Sequence, residues 1–205
     1  MLKKQAAQAA QNISFMKKFL FILTIIVALA SCGETPVPKP RGYFRATFPA
    51  KEYAAVADSL ALPYSFDFPN YCVMERETSR GAERYWTNIV YPALNAKVHL
   101  SFKFLTNNLD TLIEDSHTLA YKHTVKAEAI EKIAFVNDTT HVYGLLYGIK
   151  GNVASPLQFY ITDSTKHFLR GSLYFNCSPN KDSLAPSIEF VRQDIERLFE
   201  TLVWK

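Results

Sequence analysis

The side chains with the clearest reactivity in this 205-residue chain are three cysteines and five histidines. The histidines lie far apart, and none of them belongs to a Cys/His spacing that is typical of zinc sites. The sequence has no His-Glu-x-x-His helix, no Gly-x-Ser-x-Gly nucleophile turn and no glycine-rich phosphate loop. We therefore expect no enzymatic activity, no bound metal and no cofactor. The five histidines are His99, His117, His123, His141 and His167.

Cys32 has the most specific chemistry, because it directly follows Leu-Ala-Ser at 29–31. An apolar stretch at 19–30 and a basic Met-Lys-Lys at 16–18 precede it, in the order that is typical of a secretory signal peptide. The apolar stretch is shorter than the roughly 20 residues that a transmembrane helix needs. These features predict a bacterial lipoprotein, in which the Cys32 sulfur carries diacylglycerol and cleavage makes Cys32 the new N-terminus. The alternatives are an uncleaved signal anchor and a secreted protein with a chance cysteine.

A signal peptide at 1–31 also changes the charge of the mature chain. The sequence contains 23 Lys and Arg against 19 Asp and Glu. Four lysines and no acidic residue precede Cys32, so the mature chain has 19 side chains of each sign and is formally neutral. Because nucleic-acid binding needs a basic surface, we expect no nucleic-acid partner. Met16 is an alternative true start, since Met-Lys-Lys is the more usual opening of a signal peptide.

The segment at 32–42 combines the lipidated cysteine with Pro36, Pro38 and Pro40. These prolines favour the extended polyproline II conformation. At about 3.1 Å per residue, the segment predicts a semi-rigid tether of about 30 Å. The remaining residues, 43–205, are numerous enough for a single domain that the tether holds away from the bilayer.

Alternating apolar and polar residues predict the strands of this domain. The strand at 97–104 is the clearest, because Val98, Leu100, Phe102 and Phe104 share one face and polar side chains share the other. A helical turn is expected within 51–61. Further strands are predicted at 43–48, 64–68, 72–77, 86–91, 132–136, 141–149, 157–162 and 168–176.

Two longer segments have the three-and-four-residue period of amphipathic helices. The first is predicted over 109–127 with Asn108 as its cap, and the second is predicted from a cap at Asp182 or Ser183 to Leu202. Strands, a helix, antiparallel strands and a second helix predict an α+β fold, with a mainly antiparallel sheet and two principal helices. This order resembles the Mog1/PsbP-like α/β/α sandwich, a resemblance of fold alone.

Cys72 and Cys177 remain once Cys32 is assigned to the lipid. An exported protein can oxidise such a pair to a disulfide. Bridging them requires a fold that brings their Cα atoms within about 7 Å. The sequence leaves two alternatives, a disulfide between Cys72 and Cys177 or two small buried thiols.

Charged side chains of both signs surround the loop between the strands at 72–77 and 86–91. They form either a solvated mixed-charge hairpin or a docking surface for a partner protein. The residues concerned are Glu75, Arg76, Glu77, Arg80, Glu83 and Arg84.

The other ionisable side chains are expected to be structural. His123 lies on the apolar side of the first helix, where a hydrogen-bonded core histidine is expected. The acidic residues within 110–115 suit the positive end of the helix dipole, so no cation is needed to explain them. A hydrolase, the least supported alternative, would need a cleft that holds His99 or His141 beside a carboxylate.

Several short motifs carry a family resemblance, and the most specific of them is Val-Pro-Lys-Pro-Arg-Gly-Tyr-Phe-Arg at 37–45. With the motifs that follow it, the mature chain resembles GldD, the gliding motility lipoprotein family of the Bacteroidota. The other matching features are Pro49, Lys-Glu-Tyr at 51–53, Pro-Tyr-Ser-Phe at 63–66, the segment 178–186 and the terminal Trp-Lys at 204–205.

The resemblance implies a non-enzymatic accessory lipoprotein of the gliding machinery and of the associated type IX secretion system. It implies partners among the other gliding proteins, including the membrane protein GldE, and a lipid-anchored domain that faces the periplasm. Cys32 is the one functional residue that the family supplies. The alternative is an envelope lipoprotein that binds a small molecule or a lipid, which would need a closed apolar pocket.

Overall fold

The computed structural model describes residues 16–18, 20–21, 47–56, 60–122 and 125–205. The chain divides by its internal contacts into two units, 1–42 and 43–205. In the first unit, the described residues are helical and exposed. Within the described part of the chain, no helix is both long and apolar enough to span a bilayer. Cys32, the tether at 33–42 and His123 lie outside the described residues.

The described part of the second unit consists of eleven strands, a short 3-10 helix and two longer helices. Asn180 caps the second helix, because its Oδ1 accepts a hydrogen bond from the Ser183 backbone N–H at 3.1 Å. In chain order the elements are β1 (Tyr53–Ala55), β2 (Tyr64–Ser65), β3 (Asp67–Pro69), β4 (Val73–Arg76), β5 (Thr87–Tyr91), the 3-10 helix (Pro92–Leu94), β6 (Ala96–Phe104), α1 (Leu109–Tyr121), β7 (Ala127–Asn137), β8 (Val142–Gly151), β9 (Leu157–Thr162), β10 (His167–Phe175), α2 (Lys181–Thr201) and β11 (Val203–Trp204).

Seven strands form one antiparallel sheet in the order β4-β5-β6-β10-β9-β8-β7. Two small pairs flank it, β1 with β3 and β11 with β2. The second pair joins two of the motifs that carry the family resemblance, because Trp204 lies opposite Tyr64 and the Lys205 N–H donates to the Pro63 carbonyl at 2.9 Å.

One face of the sheet, which we call the α2 face, is apolar and covered by α2. The register places Leu100 of β6 opposite Gly171 of β10, which in turn lies opposite Phe159 of β9. A side chain at Gly171 would not fit, because its Cβ would lie 2.0 Å from Phe159 Cζ. The fully buried side chains of this core include Val98, Leu100, Phe102, Phe159, Ile161, Leu169, Leu173, Val191, Ile195, Leu198 and Phe199.

The opposite face, which we call the α1 face, is covered only in part. α1 contacts β9 and β10, and beneath it Ala120 packs in a second cluster with Tyr147, Ile149 and Val153. A helix of 13 residues is about 20 Å long, whereas seven strands span about 30 Å. With a helix on each face, the domain has the predicted α+β fold, a mainly antiparallel sheet and two principal helices.

Two local predictions were wrong. The first helix ends at Tyr121 and not near 127, because Ala127 begins the long β7 ladder with β8. The cap of the second helix is Asn180, and not Asp182 or Ser183.

Two other local predictions hold in part. Within 51–61, Leu60 is in a 3-10 helix, but Tyr53–Ala55 is a strand because it pairs with β3. Asn108 is the N-cap residue of α1, but its Oδ1 accepts from the Thr106 N–H at 2.9 Å and makes no side-chain cap.

Candidate functional site

The part of the α1 face over β4, β5, β6 and β10 that α1 leaves uncovered forms a polar surface, which we call the open half-face. Alternation along β6 presents Lys97 and His99 on this side, while Val98 points to the core. Strand register then places Tyr174 beside Lys97, and Asn88 and Ser172 on either side of His99. The open half-face is therefore a continuous row of polar and aromatic groups that the sheet holds rigidly.

His99 lies at the centre of the open half-face. Its Nδ1 is 3.6 Å from Glu77 Oε2, and its ring meets the Tyr174 ring edge-on at a centroid distance of 5.6 Å. Partial burial lowers the pKa of His99, and this effect outweighs the attraction of the Glu77 charge. The imidazole is therefore neutral at pH 7, so it serves as a hydrogen-bonding and stacking group and not as a fixed positive charge.

Glu77 is the fixed negative charge of the open half-face. The Asn88 amide donates to Glu77 Oε2 at 2.9 Å, and the Ser79 backbone N–H donates to Oε1 at 2.8 Å. The Asn88 and Ser79 hydrogen bonds lower the pKa of Glu77 to about 2. Asn88 is itself 4% exposed, and its Oδ1 accepts no hydrogen bond from the described residues.

A groove of about 510 Å³ runs along the open half-face beside Lys97, His99 and Tyr174. Pro92, Asn95 and Asn176 form the opposite wall, and the groove is open to solvent. The alternative of a small-molecule or lipid carrier predicted a closed apolar pocket, and this groove, which is open and lined by both polar and apolar residues, does not have that form. Its shape suits an extended surface of another macromolecule better than an enclosed ligand.

A second polar cluster lies on the buried side of α2, around the carboxylate of Asp194. Asp194 is 4% exposed, and its Oδ1 accepts hydrogen bonds from Lys51 Nζ at 2.6 Å, Tyr53 OH at 2.8 Å and Tyr71 OH at 2.7 Å. Burial, and then the Asp194 charge, raises the pKa values of both tyrosines. The sequence analysis missed this cluster. The available signal was an acidic residue beside Ile195 on the apolar stripe of a helix.

Cys72 and Cys177 are free thiols, the first buried and the second exposed. Cys72 directly precedes β4 and Cys177 follows β10, and β5 and β6 lie between these strands. At about 4.8 Å per strand the separation is about 14 Å, twice what a disulfide spans. The structure therefore does not support the disulfide alternative, and the alternative of two buried thiols holds for Cys72 alone. Burial raises the pKa of Cys72 to about 12, which makes it an unreactive thiol.

Some charged side chains of the hairpin between β4 and β5 bind other groups of the same domain. Arg76 donates to the backbone carbonyls of Leu60 at 2.6 Å and Arg84 at 2.9 Å, and Lys103 pairs with Glu83 at 2.6 Å. The hairpin is therefore an ordered border of the open half-face. That its charges bind a partner protein stays a prediction.

The side chains of His117 and His167 have structural partners, and His141 contributes its backbone carbonyl. His117 stacks on Tyr121 at 4.1 Å, and His167 Nδ1 lies 2.7 Å from Asp163 Oδ2 while its ring stacks on Trp204 at 5.2 Å. The His141 carbonyl accepts from Trp204 Nε1 at 3.1 Å. Within the described ranges, no group of three or more His, Cys, Asp or Glu side chains is placed to hold a metal ion.

Comparison with known proteins gives two findings. The solution structure of cyanobacterial PsbP (CyanoP) from Synechocystis sp. PCC 6803 is similar at 15% sequence identity, over 81% of this chain and 99% of that chain, with a TM-score of 0.47. Comparison with curated proteins gives no match. A family model described as gliding motility lipoprotein GldD matches residues 33–204, which is most of the chain. The chain therefore belongs to the GldD family of gliding motility lipoproteins.

Proposed function

We propose that this protein is a non-enzymatic accessory component of the gliding machinery and of the type IX secretion system, which binds or stabilises partner proteins at the periplasmic side of a membrane. Family membership supports the role in gliding and a membrane-anchored position in the cell envelope. The Leu-Ala-Ser-Cys sequence at 29–32 supports anchoring through a lipid on Cys32. The other Gld components, with GldE as the first candidate, are the partners that the family suggests.

The open half-face is the observation that carries partner binding. It combines a half-exposed aromatic ring at Tyr174, a neutral imidazole at His99 and a fixed charge at Glu77. Aromatic side chains surrounded by hydrogen-bonding groups are typical of the residues that contribute most to protein interfaces. Asn88 Oδ1 adds a buried acceptor without a donor among the described residues. Within the described part of the chain no helix covers the open half-face, and the groups on it support a protein partner that binds there.

The open half-face also fits a partner better than it fits catalysis. His99 has a carboxylate neighbour at 3.6 Å, which is outside hydrogen-bonding distance for an activated base. Ser172 lies opposite His99 in the ladder, but among the described residues no hydrogen bond joins the two side chains. An activated serine would need that contact. We therefore propose that the open half-face recognises a partner protein and does not catalyse a reaction.

Deletion of the gene tests the proposal in the native bacterium. We expect loss of secretion through the type IX system and loss of spreading, both restored by the wild-type gene. Cys32→Ala is expected to leave the domain folded, to release it from the membrane fraction and to fail to restore secretion. Normal secretion and spreading in the deletion strain would refute the proposed role. A Cys32→Ala protein that stays in the membrane after a salt wash would refute the lipid anchor.

A further inference from the structure

Residues 47–56, the first described residues of the second unit, lie against α2 and are called the strap here. The Phe48 ring stacks on the Phe190 ring at 4.6 Å. Lys51 Nζ donates to the Phe190 carbonyl and to Asp194 Oδ1, each at 2.6 Å, and lies 3.4 Å from the centre of the Phe190 ring. The strap is therefore fastened to one turn of α2, between Phe190 and Asp194.

The other contacts of the strap are mainly backbone hydrogen bonds. Its strand β1 pairs with β3 over three residues, the Asn70 N–H donates to the Glu52 carbonyl at 2.9 Å, and the Val56 N–H donates to the Phe66 carbonyl at 3.2 Å. Val56 is the one buried residue of the strap, whereas Thr47, Pro49, Ala50, Glu52, Ala54 and Ala55 are exposed. The strap thus contributes little to the apolar core, and among the described residues its side-chain hydrogen bonds to α2 converge on Phe190 and Asp194.

The Asp194 carboxylate attaches the strap at a cost in desolvation free energy, because a charged group is buried there. Three donors converge on Oδ1, and Oδ2 has no hydrogen-bond partner among the described residues. Desolvation of a buried charge offsets much of the attraction between Lys51 and Asp194. When the strap leaves, the carboxylate gains water and keeps the hydrogen bond from Tyr71, which belongs to the body of the domain. Hydration of the carboxylate therefore recovers part of the free energy that release of the strap costs.

We infer that the strap is a releasable segment, fastened by Lys51 and Tyr53 to Asp194, that sets the length of chain between the lipid anchor and the folded domain. Release adds the ten strap residues to the spacer, which lengthens its reach by about 30 Å at roughly 3.3 Å per extended residue. The change in reach rests on the lipid anchor proposed above, whereas the release itself does not.

Hydrogen exchange measured by mass spectrometry on the full mature chain tests the release. Lys51→Met removes the ammonium group and keeps an unbranched side chain. We expect exchange of the amides at 47–56 to become at least tenfold faster, with β6 and β10 unchanged, because the strap opens without the sheet. Lys103→Met is the matched control, since Lys103 Nζ also donates to a carboxylate at 2.6 Å but lies outside the strap.

Two results would overturn the inference. Unchanged exchange at 47–56 would mean that Asp194 does not fasten the strap. Acceleration spread equally over β6 and β10 would mean that the strap unfolds only with the domain. Tyr53→Phe deletes one hydroxyl and serves if Lys51→Met fails to fold; a smaller acceleration, confined to 47–56, is expected for it. The measurement needs no partner and no secretion assay, so its failure is distinct from failure of the proposed function.

Discussion

The two faces of the sheet differ in how completely they are closed. α2, with 21 residues, covers an apolar face, where even glycines are needed to admit aromatic rings. α1, with 13 residues, covers one half of the other face and leaves the open half-face polar. The α2 face and the half of the α1 face under α1 thus hold the fold together, whereas the open half-face remains available to a partner.

The largest loss of stability is expected from a substitution in the core beneath α1. Tyr147 is 1% exposed and packs with Ala120 in the covered half of the α1 face. Tyr147→Ala leaves a cavity there and is expected to reduce the free energy of unfolding by about 4 kcal/mol. Thermal denaturation should show a fall in Tm of about 10 °C. A loss below about 1 kcal/mol would show that α1 does not close this half of the face.

A smaller loss is expected on the α2 face from Gly171→Ala. The added Cβ would overlap Phe159, whose ring also packs against Phe199 at 5.6 Å. We expect a reduction of about 2 kcal/mol in the free energy of unfolding, measured by urea denaturation. Ser101→Ala, on the opposite face of the neighbouring strand, is the control and should stay within about 0.5 kcal/mol of wild type. Equal stability of the two variants would contradict the packing described.

Replacing Tyr174 on the open half-face should reduce stability much less than replacing the buried Tyr147. Tyr174 is 39% exposed and makes a ring contact with His99. Tyr174→Ala is expected to lower the free energy of unfolding by less than about 1 kcal/mol, because no closed core is opened. The same denaturation series measures it beside Tyr147→Ala. Similar losses for the two variants would mean that both halves of the α1 face are closed.

The smallest expected effect is on how Tm falls at acid pH. The pKa of Glu77 is about 2 in the folded protein and 4.5 in its ordinary state, so its stabilising contribution is fully present above about pH 4.5 and is lost as the pH falls towards 2. Glu77→Gln should therefore flatten the fall of Tm between pH 5 and pH 3. Glu83→Gln, from the same hairpin, controls for loss of one charge. An unchanged slope in Glu77→Gln would show that its hydrogen bonds are not maintained in solution.

The spacing of apolar residues along the sequence predicted most of the helices and strands. In the strand at 97–104, Val98, Leu100 and Phe102 are buried as alternation predicts, whereas Phe104 at the strand end is 53% exposed. The helical period predicted α2, whose buried residues include Val191, Ile195 and Leu198. The end of α1 was missed because pairing of β7 with β8 overrides the helical period near 127. Intrinsic patterns describe one segment at a time, so they cannot include this competition with a distant strand.

The candidate sites were predictable only in part. Lys97 and His99 could be assigned to one side of a strand, but their neighbours Asn88, Ser172 and Tyr174 follow from strand order, which the sequence does not state. The Asp194 cluster joins residues more than 120 positions apart in the chain. Its one local sign was a charge on an apolar helix stripe, which becomes meaningful once Lys51 and Tyr71 are placed beside it.

Quantitative capture from the native envelope tests the central claim most directly, namely that the open half-face binds a partner. The bait is the full mature chain, as wild type, as the double variant His99→Ala with Tyr174→Ala, and as Glu189→Ala, which changes an exposed residue of α2. Mass spectrometry compares the recovery of gliding-machinery proteins, GldE first among them. We expect at least tenfold lower recovery with the double variant and wild-type recovery with Glu189→Ala, at unchanged Tm. Equal recovery by all three baits would contradict the claim.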